Sequence, residues 1–363
     1  MSVSAMGIFR DFVCLFLLLL SSVSFAVDTD NDDFLATGNY HNCALDDTGL
    51  VCWGRNFVAP TDVPSLSNPT QFFAGFDLIC ALDDTGVVCW GRNFEGQTDV
   101  PSLSNPTQVF VGYFHICAHD DTGLVCWGDN RRGQTDVPSL SNPTQVSLGG
   151  EHSCALDDTG VVCWGSNRRG QTDVPSLSNP TQVCMGDAHS CALDNTGLVC
   201  WGYNSYGQSD VPSLSNPTQV SLGGEHSCAL DETGVVCWGS NRKGQTDVPS
   251  LSNPMQVSVG GAHSCALDDT GVVCWGYNNE GQTDVPELSF TFDEIDTDPN
   301  VTSAVLDIDA NGSFDALTDG LIILRYAFGL RGQSLIDDVI SEDAMRVEVN
   351  EIEAYLDSLV MGL

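Results

Sequence analysis

The chain reads as all-β: a seven-bladed β-propeller of 37-residue repeats, followed by a small α-helical module built on a calcium loop. Three observations carry that expectation. The stretch Cys-Ala-Leu-Asp-Asp-Thr-Gly-Val-Val-Cys-Trp-Gly at 154–165 returns in seven versions, 37 residues apart. Each version brings one tryptophan, so the seven of the chain (Trp53, Trp90, Trp127, Trp164, Trp201, Trp238, Trp275) mark the repeats. Between them lie short β-branched or alternating runs broken by Gly, Asp, Asn and Pro, and no run suits an amphipathic helix. A unit this small cannot bury its apolar face alone and must stack on copies of itself.

Within the fourth repeat the sequence predicts four strands, at 145–148, 152–156, 161–164 and 172–174. Such sheets, seven times over, fit a radial array of antiparallel blades. An open β-solenoid is the alternative. Residues 1–26 stand outside this pattern: the apolar run at 13–20 is too short to span a bilayer, and Ser24 and Ala26 are the small residues a signal peptidase reads. They read as a secretory signal whose removal takes Cys14 with it, which leaves 27–292 for the propeller.

With 12 Lys and Arg against 49 Asp and Glu, the net charge of -37 repels nucleic acid and anionic lipid. Such acidity suits a soluble, exported protein in salty or calcium-containing surroundings, where screening shortens self-repulsion. Export also favours disulfides. The pairs in question are Cys43 with Cys52, Cys80 with Cys89, Cys117 with Cys126, Cys154 with Cys163, Cys191 with Cys200, Cys228 with Cys237 and Cys265 with Cys274. Each flanks an Asp-Asp-Thr-Gly-type turn. A two- or four-residue hairpin loop sets the two side chains facing each other, whereas a three-residue loop with a bulge puts them on opposite faces. Zinc is the rival use of these thiols, since His-x-Cys precedes the turn in six repeats. Cys184 is left over, expected as a buried thiol of a first strand.

In an up-and-down blade, alternate loops share a face. The Asp-Asp-Thr-Gly turn and the Ser-Leu-Ser-Asn-Pro connection therefore lie together, and they barely change between copies. The loops of the other face do change. The loop after Trp-Gly carries every cation of the repeat region, and its expected partner-binding residues are Arg55, Phe57, Arg92, Phe94, Arg131, Arg132, Arg168, Arg169, Tyr203, Tyr206, Arg242, Lys243 and Tyr277. The second loop of that face adds Asn39, Tyr40, Phe76, Asp77, Tyr113, Phe114, Glu151, Asp187 and Glu225. Aromatic and guanidinium groups are what protein interfaces use as anchors. Loop drift on an exposed surface is the alternative to such a partner-binding face.

His41, His115, His152, His189, His226 and His263 stand two residues before the first cysteine of their repeats, and Leu78 breaks the set. A group repeated around a ring reads as an internal hydrogen-bonding residue. The Asn after Trp-Gly is turn chemistry. No nucleophile, base and orienter stand out, so no enzyme is expected. The competing idea, an extracellular carbohydrate-active enzyme, needs Asp77, Glu151, Asp187 and Glu225 to converge near the axis.

Gly-x-x-His-Ser-x-Ala-Leu, then Val-x-x-Trp-Gly-x-Asn-x-x-Gly-Gln-Thr-x-Val-Pro, resembles the repeat of the regulator of chromosome condensation propellers over residues 34–286. The Gly-Gln-Thr-x-Val-Pro segment and short period are most similar to the secreted bacterial branch that includes the second type of β-lactamase inhibitor protein. The resemblance implies a seven-bladed propeller that binds a protein on one face. The paired cysteines are not part of that inhibitor's pattern and the loops differ, so β-lactamase inhibition does not carry over. Nor, given export, does nucleotide exchange on a small GTPase.

After Pro286 the period stops. Residues 288–292 are expected as a last strand that helps close the ring, 293–302 as an acidic linker and 303–363 as a second module. Asp307, Asp309, Asn311, Ser313 and Asp315, with Gly312 at the sharp turn, offer the oxygens of a short Ca2+ loop, and Asp319 is its late closing carboxylate. This resembles the calcium loop of dockerins and other EF-hand-like modules; one loop is visible where a dockerin has two, so cohesin binding is not implied. An apolar helix at 320–330 and a final helix capped by Asn350 and Glu353 follow, the latter with Ile352, Tyr355, Leu356, Leu359 and Val360 on one stripe. The whole reads as a secreted, monomeric binding protein with a protein partner, a polysaccharide being the other possibility, and with neither nucleic acid nor a membrane span.

Overall fold

The computed structural model describes residues 34–290 and, beyond them, Ile352, which is helical and buried. The leader, the linker, the calcium loop from Asp307 to Asp319 and the rest of the last helix lie outside the described residues. Residues 34–290 form seven antiparallel sheets of three strands each, and no strand pairs outside its own sheet. In blade 4 these are Gln145–Leu148 (inner), His152–Asp157 (middle) and Gly160–Gly165 (outer). Blade 1 uses Leu35–Thr37, His41–Asp46 and Gly49–Gly54, and blade 7 uses Gln256–Val259, His263–Asp268 and Gly271–Gly276. The inner strands line an axial cavity of about 410 Å3.

The expected fourth strand is absent from every blade, for a local reason. Asp173 N donates to Gly170 O (3.1 Å) and Val174 N to Thr172 O (3.1 Å), so the backbone turns where a ladder would need it straight. Pro175 then offers no donor. The segment acts as a strap over the next blade instead: Gln171 O accepts the indole N–H of Trp201 (2.9 Å) and the hydroxyl of Ser190 (3.0 Å).

The hairpin loop is the two-residue one. Asp157 pairs with Gly160, and Cys154 therefore lies directly opposite Cys163. All seven pairs form disulfides with Cα atoms 4.0–4.1 Å apart, which uses up the sulfurs a zinc site would need. The first aspartate of the turn is structural. Asp157 Oδ1 accepts from Thr159 N (2.7 Å) and Oγ1 (2.6 Å), Oδ2 from Ser141 N (2.8 Å), and Asp158 N donates to Ser141 O (2.9 Å). Backbone donation from Ser141, then the Thr159 hydroxyl, holds the Asp157 carboxyl below the usual range.

An inner strand is an unpaired sheet edge, and its N–H groups need partners. Side chains of the preceding blade supply them: Val183 N donates to Gln145 Oε1 (2.8 Å) and Met185 N to Ser147 Oγ (3.2 Å). Apolar packing also runs from blade to blade, Phe110 and Cys117 of blade 3 meeting Val146, Leu148, Ala155 and Trp164 of blade 4.

Ring closure uses the same contacts. Phe34 N donates to Gln256 Oε1 (3.1 Å), Thr37 N to Ser258 Oγ (3.0 Å) and Trp53 Nε1 to Gln282 O (3.1 Å). The seven sheets thus close on themselves, which excludes the solenoid. Residues 288–290 are not a closing strand. Ser289 N donates to Asp46 Oδ2 (2.8 Å) and Ser289 O accepts from Asp47 N (2.9 Å), so Ser289 gives blade 1 the connection that Ser141 gives blade 4.

Candidate functional site

The serine connections bind the aspartate turns, as just described, so those two loop sets share one face. The loops after Trp-Gly and the loops between inner and middle strands meet on the opposite face. Arg132 Nε lies 3.4 Å from Glu151 Oε2, and the Arg55 guanidinium lies 5.2 Å from the Tyr40 ring centroid. The separation of acidic turns from cation-bearing loops is therefore as the repeat comparison predicts.

Around the axis, the inter-strand loops join blade to blade through backbone. Tyr113 N donates to Gly149 O (3.2 Å), Gly150 N to Asp187 O (3.1 Å) and Gly261 N to Asn39 O (3.3 Å). So close an approach demands glycine: a Cβ on Gly186 would stand 2.5 Å from Gly223 O. On this belt stand the variable residues, and they divide into two arcs.

On the first arc aromatic rings touch in series. Tyr277 to Tyr40 is 6.1 Å between centroids, Tyr40 to Phe76 6.2 Å, Phe76 to Phe114 5.2 Å and Phe76 to Tyr113 6.0 Å. Arg55 lies 5.4 Å from the Phe57 ring, and Arg92 lies 4.9, 5.2 and 5.5 Å from Phe94, Phe114 and Phe76. Phe57 and Phe94 themselves are 77% and 70% exposed. Beneath them Asp77 is buried; burial raises its carboxyl above the ordinary range, while Arg55 and Arg92 draw it back. Burial, then Asp187 and Tyr40, push the Tyr113 hydroxyl upward.

On the second arc Gly150, Ala188, Gly224, Gly261 and Ala262 take the places of the first arc's rings, beside Glu151, Asp187 and Glu225. Asp187 is open to solvent on one side, yet crowding by the mouth and then the charges of Glu151 and Glu225 raise its carboxyl. Asp77 instead feels Arg55, Arg92 and Glu280, and Asp187 feels only Glu151 and Glu225 of these carboxylates. The outer cations of this arc lace neighbouring loops: Arg169 lies 4.7 Å from Tyr203, Arg242 4.6 Å from Tyr206 and Lys243 5.1 Å from Tyr277. Arg131 grips Asp129 through Nε and Nη2 (2.9 Å each) and reaches Glu95 at 3.4 Å. Arg168 is exposed.

The buried histidines take no part in this face. His152 Nε2 lies 2.9 Å from Ser190 Oγ in the next blade, and Ser190 donates to Gln171 O. The serine therefore accepts from His152 Nε2–H, which fixes the neutral tautomer. His115, His189 and His226 do likewise with Ser153, Ser227 and Ser264, and His263 with Asn42 Oδ1 (2.6 Å). Sequence reasoning missed one feature: Ile79 stands where His41 needs that serine. His41 is fully buried with neither ring nitrogen hydrogen-bonded, although the Leu78 carbonyl eases its charged form slightly. The 38-residue step from each histidine to its acceptor was readable in the sequence. Cys184 is half-buried on the axial cavity rather than fully buried, its thiol 3.2 Å from Val220 O.

The family model for the regulator of chromosome condensation (RCC1) repeat matches residues 107–134, 144–171, 181–208, 218–245 and 256–282, in blades 3 to 7. No curated protein matches the chain in sequence. Among solved structures, the ectodomain of the Physcomitrella patens receptor kinase CR4 is 23% identical with a TM-score of 0.58, covering 67% of this chain and 73% of that one. The CRINKLY WD40 ectodomain of the Arabidopsis thaliana receptor kinase ACR4 is 21% identical with a TM-score of 0.57, covering 67% and 97%. Human WBSCR16 is 19% identical with a TM-score of 0.56, covering 67% and 88%. At these identities the likeness is one of fold, and with the five matched repeats it makes residues 34–290 an RCC1-like propeller of seven three-stranded blades.

Proposed function

We propose that the chain is a secreted, non-enzymatic binding protein that docks a protein partner on the varied face of its propeller. The observation that carries this reading is the concentration there of exposed phenylalanines, a tyrosine and phenylalanine series and all eight Lys and Arg of residues 34–290, on an otherwise acidic body. Seven disulfides support an oxidising destination. The second module is proposed to be ordered by Ca2+ through Asp307, Asp309, Asn311, Ser313, Asp315 and Asp319, and to attach or space the propeller. Among the described residues no helix is long and apolar enough to cross a membrane.

Two experiments test this. The immobilised full chain is offered the extracellular proteins and polysaccharides of the producing culture, next to a variant with Arg131, Arg132, Arg168 and Arg169 changed to Glu. Capture of a protein by the wild type alone supports the reading. Equal capture by both overturns the choice of face, and capture of polysaccharide alone overturns the class of partner. Calorimetry with Ca2+ should show one saturable heat that Asp307→Ala with Asp309→Ala abolishes; identical heats would remove the calcium role.

A further inference from the structure

The varied face has a direction as well as a composition. At the third position after Trp-Gly, blades 1 to 4 carry Phe57, Phe94, Arg131 and Arg168, two apolar groups followed by two cations along one stretch of rim. Adjacent loops are in contact there: Arg131 reaches Glu95 of the Phe94 loop (3.4 Å), and Arg132 reaches Glu151 of blade 4 (3.4 Å). At the same position blades 5, 6 and 7 carry Ser205, Arg242 and Asn279, so an apolar pair followed directly by a cationic pair occurs on this arc alone among the seven blades.

At the apolar end, Phe57 and Phe94 are 77% and 70% exposed, an arrangement that costs solubility and contributes nothing to the core. Arg55 and Arg92 stack against them from within, which holds the rings at low entropic cost for a contact. At the cationic end, the Arg131 side chain keeps 66% of its surface open although it holds Asp129, and Arg168 and Arg169 are exposed. The two pairs at 3.4 Å are long for charge-assisted hydrogen bonds, so an arriving carboxylate can displace Glu95 or Glu151 from them. The other exposed cations away from these loops, Arg242 and Lys243 of blade 6, lie over Tyr206 and Tyr277, and the body beneath the face is acidic on a chain of net charge -37.

Resting on the protein-docking reading above, we infer that the rim of blades 1 to 4 binds an acidic polypeptide segment in which an apolar side chain is followed closely by carboxylates. The apolar group seats between Phe57 and Phe94, and the carboxylates lie on Arg131 and Arg168. The apolar end supplies affinity by burying ring surface. The cationic end supplies register and salt dependence.

The test is selection of random 12-residue peptides on the immobilised full chain, followed by titration of the enriched synthetic peptides. Two variants serve as comparison, Phe57→Ser with Phe94→Ser and Arg131→Glu with Arg168→Glu; all four side chains are at the surface, and circular dichroism with unchanged thermal midpoint verifies folding. The expected consensus is an apolar residue next to two or more acids. The phenylalanine variant should bind at least ~10-fold more weakly, as truncated interface anchors do. The arginine variant should lose ~10-fold and most of its salt dependence. Peptides that bind both variants as well as the wild type overturn the rim assignment while leaving a docking face intact elsewhere. A basic or purely apolar consensus, or none, overturns the proposed chemistry. Loss on the arginine variant alone, shared with a polyanion such as polyglutamate, reduces the rim to a general anion patch and overturns the apolar seat. If the culture-derived protein is captured through Tyr203 and Tyr206 rather than this rim, the docking reading survives and this inference fails.

Discussion

Blades 4 to 7 and blades 1 to 3 are built on the same plan and use their seams differently. In the later blades each seam is polar: His152 to Ser190, His189 to Ser227 and His226 to Ser264 each cross at 2.9 Å, and the serine hands its proton to a glutamine carbonyl. In the earlier blades Leu78 stands where the histidine would be and Ile116 where its acceptor would be, an apolar pair that replaces a polar one at both ends. The inner strands follow the same division, with Phe73 and Phe110 at the places of Ser147 and Ser221. The surface does too, since Phe57, Phe94, Phe76 and Phe114 belong to this arc. An apolar substitution on a buried seam is neutral when both partners change together and costly when one changes alone. The earlier blades thus combine one fully apolar seam, between blades 2 and 3, with an aromatic rim, while the later ones have hydrogen-bonded seams under an open, acidic mouth.

Acid is the strongest way to break the two arcs apart. Burial, with neighbouring histidine charge, lowers His152 to about 3, and burial lowers His189 and His115 to about 4. An unfolded histidine takes up its proton near pH 6.5, so between there and pH 4 the unfolded chain binds protons that the folded chain refuses. Stability is fully present above pH 6.5 and falls as pH drops through that window. Each buried histidine removes about 1.4 kcal/mol per pH unit. All six act in the same direction, so the loss is large beside the marginal stability of an ordinary domain. Below pH 4 the turn carboxylates Asp83, Asp120 and Asp157, whose values backbone and threonine donors depress, add losses of the same sign. With disulfides intact, the thermal midpoint should be level above pH 7 and fall steeply from pH 6.5 to 5, with hydrogen exchange opening the later seams first. A midpoint level down to pH 4.5 would refute the neutral-histidine account.

The bridges give the control, because they do not differ between arcs. Each closes a sequence separation of 9 residues. Changing Cys80 and Cys89 to Ser, or Cys228 and Cys237 to Ser, should cost about 2–3 kcal/mol in either case by loop-closure entropy. Unequal losses, read by urea titration, would mean that the surrounding seam and not the loop sets the value of the bridge.

Most of this architecture is legible in the sequence because a repeat exposes its own rules. The period gives the blades, Asp-Asp-Thr-Gly gives the hairpin, and comparing copies separates the uniform face from the varied one. Two elements were not legible. Thr172–Asp173–Val174 has strand composition, but hydrogen bonds to Gly170 and Thr172 turn it into a strap, and the use of Gln171 O by the next blade is a contact between repeats that no single copy displays. Residues 288–290 look like a strand by alternation, and only the vacant serine position of blade 1 explains their course. On the varied face, residue types were readable and pairings were not. Which ring each guanidinium covers depends on the blade beside it, as with Arg169 over Tyr203 of the following blade.

The smallest expected effect is the sharpest, because one substitution should carry opposite signs in the two arcs. His41 is fully buried with Ile79 at the place of its acceptor, neither ring nitrogen in hydrogen-bond geometry and only the Leu78 carbonyl to ease its charge, so it bears the desolvation of a polar ring for little return. His41→Leu copies the Leu78 with Ile116 arrangement one blade on and should stabilise the propeller by about 1 kcal/mol. It should also shrink the acid-sensitive part of the stability by one histidine's share. His189→Leu removes a ring whose Nε2 donates to Ser227 at 2.9 Å. Ser227 still donates to Gln208 O (3.0 Å), so the loss is one net hydrogen bond, about 1 kcal/mol of destabilisation. Chemical denaturation of both variants at pH 7.5 reads the signs directly. Two losses of equal size would mean that His41 is hydrogen-bonded after all, through a bound water, and that the first seam is as polar as the rest.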